Sequence, residues 1–280
     1  MKKLLITTRN AEFQIIESLK TNRIKRARNG EIFIEGIESI KQILKSGLEI
    51  TRIITTEKIS PWAMKVIGQF EDSQGHRPGE RAVPKIIKMD TTLYRELCDR
   101  NDPSEMLITA CMPKISLNDV KPPEHPFILV LDRPSDTGNL GSIIRSANSF
   151  GIDAVLLLGH GVDPWDPKTI RASLGSIFFT VPIQLESLQE LVQYIQLLKN
   201  QYKIEVLGTD SNGTSSLVSR VIKRPIMLIL GNEAKGMSLA LKELCGEIIS
   251  IPMSGAVNSL NIASAASIFI WEVTKRSSKI

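Results

Sequence analysis

Apolar positions in this chain follow two patterns, and the patterns alternate. Unbroken apolar runs at residues 127–131, 154–158 and 226–230 read as strands buried on both faces, the habit of parallel sheets. Between and around them the spacing lengthens to three and four, which predicts helices over 140–150, 168–174 and 188–198. Residues 204–207 form a shorter strand ending at Gly208-Thr209-Asp210. Residues 178–183 are expected to be extended, and 163–168 to turn. Residues 248–251 make a last strand that stops at Pro252, and a helix rich in Ala, Ser and Ile follows. Strands alternating with helices predict a parallel sheet covered on both faces.

The first part of the chain has the same elements in shorter pieces. Residues 10–22 predict a helix with Phe13, Ile16 and Leu19 on one face, and Glu31-Ile-Phe-Ile a strand. Residues 36–46 predict a helix burying Ile37, Ile40, Ile43 and Leu44, stopped by Gly47. A strand over 51–55, a helix over 61–70 and a polar loop over 72–81 come next. Strand, helix and strand over 83–88, 93–98 and 106–111 complete a small α/β domain. Four prolines between 113 and 126 mark a linker. The expected organisation is therefore a domain over 1–113, a linker over 114–126 and a parallel-sheet domain over 127–280.

Composition narrows the function. The 280 residues are 42% hydrophobic, which supports a sizeable core, and the pI is about 9.1. No apolar run reaches membrane-span length, and the apolar start is too short for a signal peptide, so a cytoplasmic location is expected by default. Three scattered cysteines and three isolated histidines suggest neither a disulfide framework nor a metal site. Residues 1–113 carry 19 Lys/Arg against 15 Asp/Glu, net +4, while the remainder carries 16 against 15, net +1. The sharpest excess is Lys20, Arg23, Lys25, Arg26 and Arg28, with no acid among them. Such a cluster suits the phosphates of a nucleic acid, although a solvated helix end explains it equally well when taken alone.

Three loops at predicted strand ends carry candidate chemistry. The first is Asp132-Arg-Pro-Ser-Asp-Thr-Gly-Asn-Leu-Gly, with Asn139 at the start of a helix and Arg145 one to two turns in. The second is Gly231-Asn232-Glu233-Ala-Lys-Gly236, which puts a carboxylate between two glycines; a simple helix cap is the plainer alternative. The third is the Gly/Ser/Asn loop from Pro252 to Asn261. Strand, small polar loop and helix is how open α/β sheets build ligand sites. The glycine pattern matches neither a dinucleotide fingerprint nor a P-loop.

These motifs, in this order, resemble those of the SpoU (TrmH) family of RNA ribose 2′-O-methyltransferases, in the SPOUT superfamily. The likeness is carried by Asn139-x-Gly141-x-x-x-Arg145, Gly231-Asn232-Glu233-x-x-Gly236, and Ile251-Pro252-Met253 followed by Ser259-Leu260-Asn261. Asp166-Pro167-Lys168 and Arg171-Ala-Ser-x-Gly175 fit as well, and the basic run leading into Phe33-Ile-Glu-Gly is similar to the family's small substrate-binding domain. Ala234 departs from the glycine often found after the motif glutamate.

The resemblance implies an α/β fold: a trefoil-knotted parallel-sheet methyltransferase domain behind a small N-terminal α/β substrate-binding domain. It implies a homodimer, S-adenosylmethionine as cofactor and no metal. Gly231, Ile251, Met253, Leu260 and Thr209 are the expected cofactor contacts. Arg145, Asn139, Glu233, Ser259 and Asn261 are the expected catalytic set. An arginine is a poor general base, with a pKa above about 12, so Arg145 is expected to orient a phosphate or to act with it. Lys20, Arg23, Lys25, Arg26 and Arg28 are expected to meet RNA phosphates. The expected substrate is ribosomal RNA; transfer RNA, or an inactive RNA-binding protein of the same fold, are the alternatives.

Overall fold

The computed structural model describes residues 3–71, 83–99, 103–256 and 259–275, so the loop expected over 72–81 lies outside the described residues, as do His76 and Asn258. The chain forms two compact units. The first comprises Met1–Pro113 together with Trp165–Phe178, and the second Lys114–Pro164 together with Phe179–Ile280.

In the first unit the elements run β1 (Lys3–Ile6), α1 (Ala11–Thr21), α2 (Arg23–Asn29), β2 (Glu31–Ile34), α3 (Ile37–Ser46), β3 (Ile50–Thr55), α4 (Pro61–Glu71), β4 (Lys85–Met89), α5 (Thr91–Glu96) and β5 (Met106–Cys111). The sheet order is β1-β4-β3-β5-β2, with β1, β4 and β3 parallel and β5 antiparallel to both its neighbours. Phe13, Ile16 and Leu19 of α1 pack with Leu93, Tyr94 and Leu97 on one face of this sheet. One strand is unforeseen and one expectation is corrected. The N-terminal apolar run is a strand, stabilised by pairing with β4, a partner more than 80 residues away that local pattern cannot reveal. Ile37 is 47% exposed because it holds the first position of α3, ahead of the face that buries Ile40 and Ile43.

The chain continues with β6 (Phe127–Asp132), α6 (Thr137–Ser149), β7 (Ala154–Leu158), α7 (Pro167–Ala172), β8 (Ile183–Gln184), α8 (Leu188–Tyr202), β9 (Glu205–Thr209), β10 (Ser215–Ser216), β11 (Ile226–Leu230), α9 (Leu239–Lys242), β12 (Glu247–Ser250) and α10 (Ile262–Thr274). Seven strands, all parallel, lie in the order β10-β12-β9-β11-β6-β7-β8. Every residue of β6, β7 and β11 is buried, which is why their sequences read as unbroken apolar runs. Alternate residues (Ile128, Val130, Leu156, Met227, Ile229) pack with Leu191, Ile195 and Leu198 of α8 and Leu241 of α9. Helices α6 and α10 pack on one another, with Ser146 and Ser267 hydroxyls 2.8 Å apart and Phe150 edge-on to Trp271. Residues 178–183 are not a long extended segment: a single 3-10 turn occupies Ser176–Phe178 and only Ile183–Gln184 pairs, beside β7.

The short helix α7 belongs to the first unit although it follows β7 in sequence. Arg171 holds it there, donating to Glu35 at 3.1 Å and pairing with Asp99 at 3.5 Å; Lys20 also pairs with Asp99, at 2.9 Å. Glu35 is 1% exposed, and burial pushes its carboxyl above the ordinary range even with Arg171 beside it. Gly175, at φ +80°, sits so close to α3 that a Cβ there would be 2.7 Å from Gln42 Cβ.

The Lys20–Arg28 run folds as the end of α1 and the whole of α2. Arg26 points inward, is 2% exposed, and its Nη1 donates to the carbonyls of Leu19 and Lys20 at 2.9 and 3.0 Å. These belong to the last turn of α1, whose carbonyls have no helical partner, so Arg26 caps that helix from the next one. Arg26→Ala is expected to cost about 2–4 kcal/mol, and Arg26→Lys most of the same, since one ammonium does not reproduce the fork. Urea denaturation of both variants checks this.

Candidate functional site

The direction of the second sheet reverses between β6 and β11: β7 and β8 extend one way, β9, β12 and β10 the other. Loops leaving the carboxyl ends of β6 and β11 therefore diverge, and open α/β sheets bind ligands in the crevice this leaves. A cleft of about 290 Å³ lies beside this point, at the carboxyl ends of β9, β11 and β12. All five residues expected to hold the cofactor line it: Thr209 after β9, Gly231 after β11, Ile251 and Met253 after β12, and Leu260 before α10. Glu233 and Ser259 line it too. Met253 and Leu260 are 37% and 42% exposed, and the surface they expose is cleft wall rather than scattered apolar surface.

At the edge of the cleft the three loops are tied together by side chains. Glu233 accepts from the Ser135 amide at 3.2 Å, from the Ser135 hydroxyl and from Asn139 Nδ2 at 3.4 Å. Asn139 Oδ1 in turn accepts from Asn261 Nδ2 at 2.8 Å. Asn261 is also the N-cap of α10, accepting from the amides of Ala263 and Ser264. Glu233 is thus not the cap of α9; its carboxylate reaches across to the loop after β6. The two asparagines and the glutamate, distant in sequence, form one polar array.

Arg145 is placed differently. It sits in the third turn of α6, exposed, outside the cleft lining, and no described residue of the same chain holds its guanidinium. The five basic residues also separate. Arg23, Lys25 and Arg28 are exposed on α2, whereas Lys20 is paired with Asp99 and Arg26 is buried. The expectation of one five-residue exposed patch is corrected accordingly, because α1 and α2 turn two of the cations inward to satisfy backbone and acid.

Several site residues were not foreseen. Ser135 is the second partner of Glu233, and Asp210 and Phe269 line the cleft. Asp210 follows Thr209 at the same strand end, a visible signal. Phe269 reaches the cleft because it lies two turns past Ile262 on α10, a relation helical period alone does not assign to a pocket. Asp210 is locked by Lys242 at 2.7 Å; with the Asn212 amide, this holds its carboxyl below the ordinary range. Among the described residues no helix is long and apolar enough to cross a membrane, and no three His, Cys, Asp or Glu gather as metal ligands would.

The loop after β11 closes on itself. Asn232 and Gly236 exchange both backbone hydrogen bonds, and Asn232 Oδ1 accepts from the amides of Ala234 and Lys235, both at 3.0 Å. Gly231 is needed for want of space: a Cβ there would lie 2.3 Å from Met237 N. Gly236 is needed for its φ of +66°, with open space around it. Gly231→Ala is expected to cost about 1–3 kcal/mol and Gly236→Ala about 1 kcal/mol, an order that thermal melts of the two variants test. A second expectation concerns Asp132, 3% exposed, which pairs with Arg133 and accepts from the Ser238 amide at 2.9 Å. Burial alone would raise its carboxyl, but Arg133 and Ser238 bring it below the ordinary range. A depressed carboxyl stabilises the fold at neutral pH and loses that contribution as pH falls through its folded pKa. Asp132→Asn is therefore expected to lower stability by about 1.5–3 kcal/mol at pH 7 and to converge on the parent in acid, read from urea midpoints across pH.

Comparison with known proteins places this geometry. Residues 126–271 match the model of the SpoU rRNA Methylase family, and residues 10–109 that of the SpoU L30e-like domain. A 23S rRNA (uridine(2479)-2′-O)-methyltransferase of Streptomyces viridochromogenes is 32% identical over 97% of this chain and 92% of its own length. The crystal structure of the SpoU methyltransferase AviRb from Streptomyces viridochromogenes, in complex with the cofactor AdoMet, superposes with a TM-score of 0.85 at 31% identity, covering 96% of this chain and 98% of that one. An AdoMet-bound rRNA methyltransferase from Sinorhizobium meliloti, at 23% identity and a TM-score of 0.83 over 98% of both chains, shares the fold. With its motifs gathered on the carboxyl ends of one parallel sheet, the chain belongs to the SpoU rRNA methylase family.

Proposed function

We propose that this protein transfers a methyl group from S-adenosylmethionine to a ribose 2′-hydroxyl of RNA, with ribosomal RNA as the substrate. One observation carries the reading: the five residues expected to meet the cofactor line a single cleft, and the Asn139–Glu233–Asn261 array stands at its edge. The cleft suits the cofactor chemically. Ile251, Leu260, Ile262 and Phe269 offer an apolar wall for a purine ring, and the carboxylates of Asp210 and Glu233 favour a cation and hydroxyl groups. When bound, the cofactor supplies a methyl on a sulfonium, open to attack by an oxygen nucleophile.

The chain's own task is to place the ribose and ease departure of its proton. Asn139, Glu233, Ser259 and Asn261 position the ribose at the cleft edge, with Ser135 aiming Glu233. Arg145 orients the adjoining phosphate and stabilises the charge that develops. Because Arg145 stands exposed on α6, outside its own cleft, we infer a homodimer in which it serves the partner's site. The α6–α10 pair, where Ile268 and Trp271 stay 39% and 52% exposed, supports that interface. The trefoil knot that family membership implies would pass the C-terminal segment through a loop formed by earlier chain. Lys25 and Arg28, with Arg23, would draw RNA phosphates to the first unit, which gives affinity rather than base choice.

Transfer of labelled methyl to separate ribosomal and transfer RNA pools tests this, with nuclease digestion to locate the label. The expected product is a 2′-O-methylated nucleotide in ribosomal RNA, reduced at least about 100-fold in Arg145→Ala. Label confined to transfer RNA would move the substrate. Absence of cofactor binding would leave an RNA-binding protein of this fold.

A further inference from the structure

The loop after β6 holds a second arginine that the scheme above does not use. Arg133 has φ +48°, a left-handed backbone that non-glycine residues rarely adopt. Its amide donates to Leu158 O at 2.8 Å, and its carbonyl accepts from Asn232 Nδ2 at 2.6 Å. The side chain lies against Gly159, where a Cβ would sit 2.7 Å from Arg133 Cγ. A Cβ at Gly161 would meet the Pro134 carbonyl at 2.7 Å. Both glycines of that turn are therefore needed to seat residues 133 and 134.

The head group is held as firmly. Nε and Nη2 donate to the two carboxylate oxygens of Asp132 at 2.8 and 2.9 Å, the parallel fork of a bidentate pair. Asp132 is itself buried and tied to the Ser238 amide. One edge of the guanidinium is thus occupied, while Nη1 has no partner among the described residues and the side chain is 34% exposed. A rigid arginine with one edge free is preorganised for an oxyanion, since little rotamer freedom remains to be lost on binding. Strand order places it relative to the site. Along the carboxyl edge the cleft spans β12, β9 and β11, the polar array crosses from β11 to β6, and Arg133 follows where β6 meets β7.

We propose that Arg133 binds the other of the two RNA phosphates that flank the methylated ribose, the one not assigned to Arg145, with Asp132 as the positioning residue that aims its guanidinium. The proposal rests on the RNA methyl-transfer reading. It differs from a purely structural role, in which Arg133 only neutralises Asp132, in what RNA binding should do.

The test uses the full chain and a 23S rRNA transcript as probe, measuring RNA affinity against salt alongside calorimetric binding of S-adenosylmethionine. Arg133→Gln is expected to weaken RNA binding about tenfold at low salt and to lower the salt slope by about 0.7–0.9, the loss of one phosphate contact, with cofactor affinity retained. Arg133→Lys, which keeps the charge and loses the fork, should keep the slope and lose part of the affinity. Since Arg133→Gln strands a buried carboxylate, the double variant Asp132→Asn/Arg133→Gln is compared with Asp132→Asn alone. An unchanged slope and affinity in the single variant, or equal RNA binding by the double variant and Asp132→Asn, would overturn the proposal. If the parent binds RNA but transfers no methyl, the reaction assignment fails, and the salt slopes still decide whether Arg133 meets a phosphate.

Discussion

Strand β11 pairs in parallel with β6 on one side and β9 on the other, in register along its whole length from Ile226 to Leu230. That pairing brings Asp132, Thr209 and Gly231 to one end of the sheet together. Because all three strands run the same way, every loop that carries candidate chemistry leaves from the same edge. A parallel sheet needs long crossovers between neighbours, so residues separated by some 90 positions become adjacent without any local turn joining them. Asn139 and Glu233 meet for this reason, and so do Asn232 and Arg133.

The loops are then stiffened by side chains that serve structure and site at once. Asn261 starts α10 and holds Asn139; Asn232 closes its own loop and holds Arg133; Asp132 fixes both Arg133 and the Ser238 amide. Asparagine is suited to this because its amide both donates and accepts, so one side chain can cap a helix and reach a second loop. The outcome is a polar edge whose members are largely oriented in advance, the condition under which hydrogen bonds act most effectively on a reacting group.

The first unit shows the same economy with charge. The run of cations that stands out in the sequence divides between surface and interior. Arg26 closes the end of α1 and Lys20 joins Asp99, Arg171 and Glu35, while Arg23, Lys25 and Arg28 stay outside. Burying Arg26 is tolerable because backbone carbonyls and Asp166, 3.6 Å away, receive its protons and charge.

Much of this was legible beforehand. Fully buried strands announce themselves as apolar runs because both faces need apolar side chains, which is why β6, β7 and β11 were read correctly. Gly47 is legible as a helix stop because glycine adopts a left-handed backbone readily, whereas the want of space that requires Gly231 shows only in the structure. The family resemblance named five of the residues that line the cleft, four of them within its motifs, since spacing along a strand–loop–helix segment is a local property. Elements whose stability comes from distant partners escaped: β1 exists through β4, and Ser135 matters through Glu233. The exposure of Arg145, the inward turn of Arg26 and the membership of α7 in the first unit were decided in tertiary structure as well. Sequence by itself determined most of the strands and helices and which loops hold polar chemistry, because those follow from neighbours along the chain. Only tertiary structure decided which loops meet and which charges face water, because those depend on packing between segments that the chain order keeps apart.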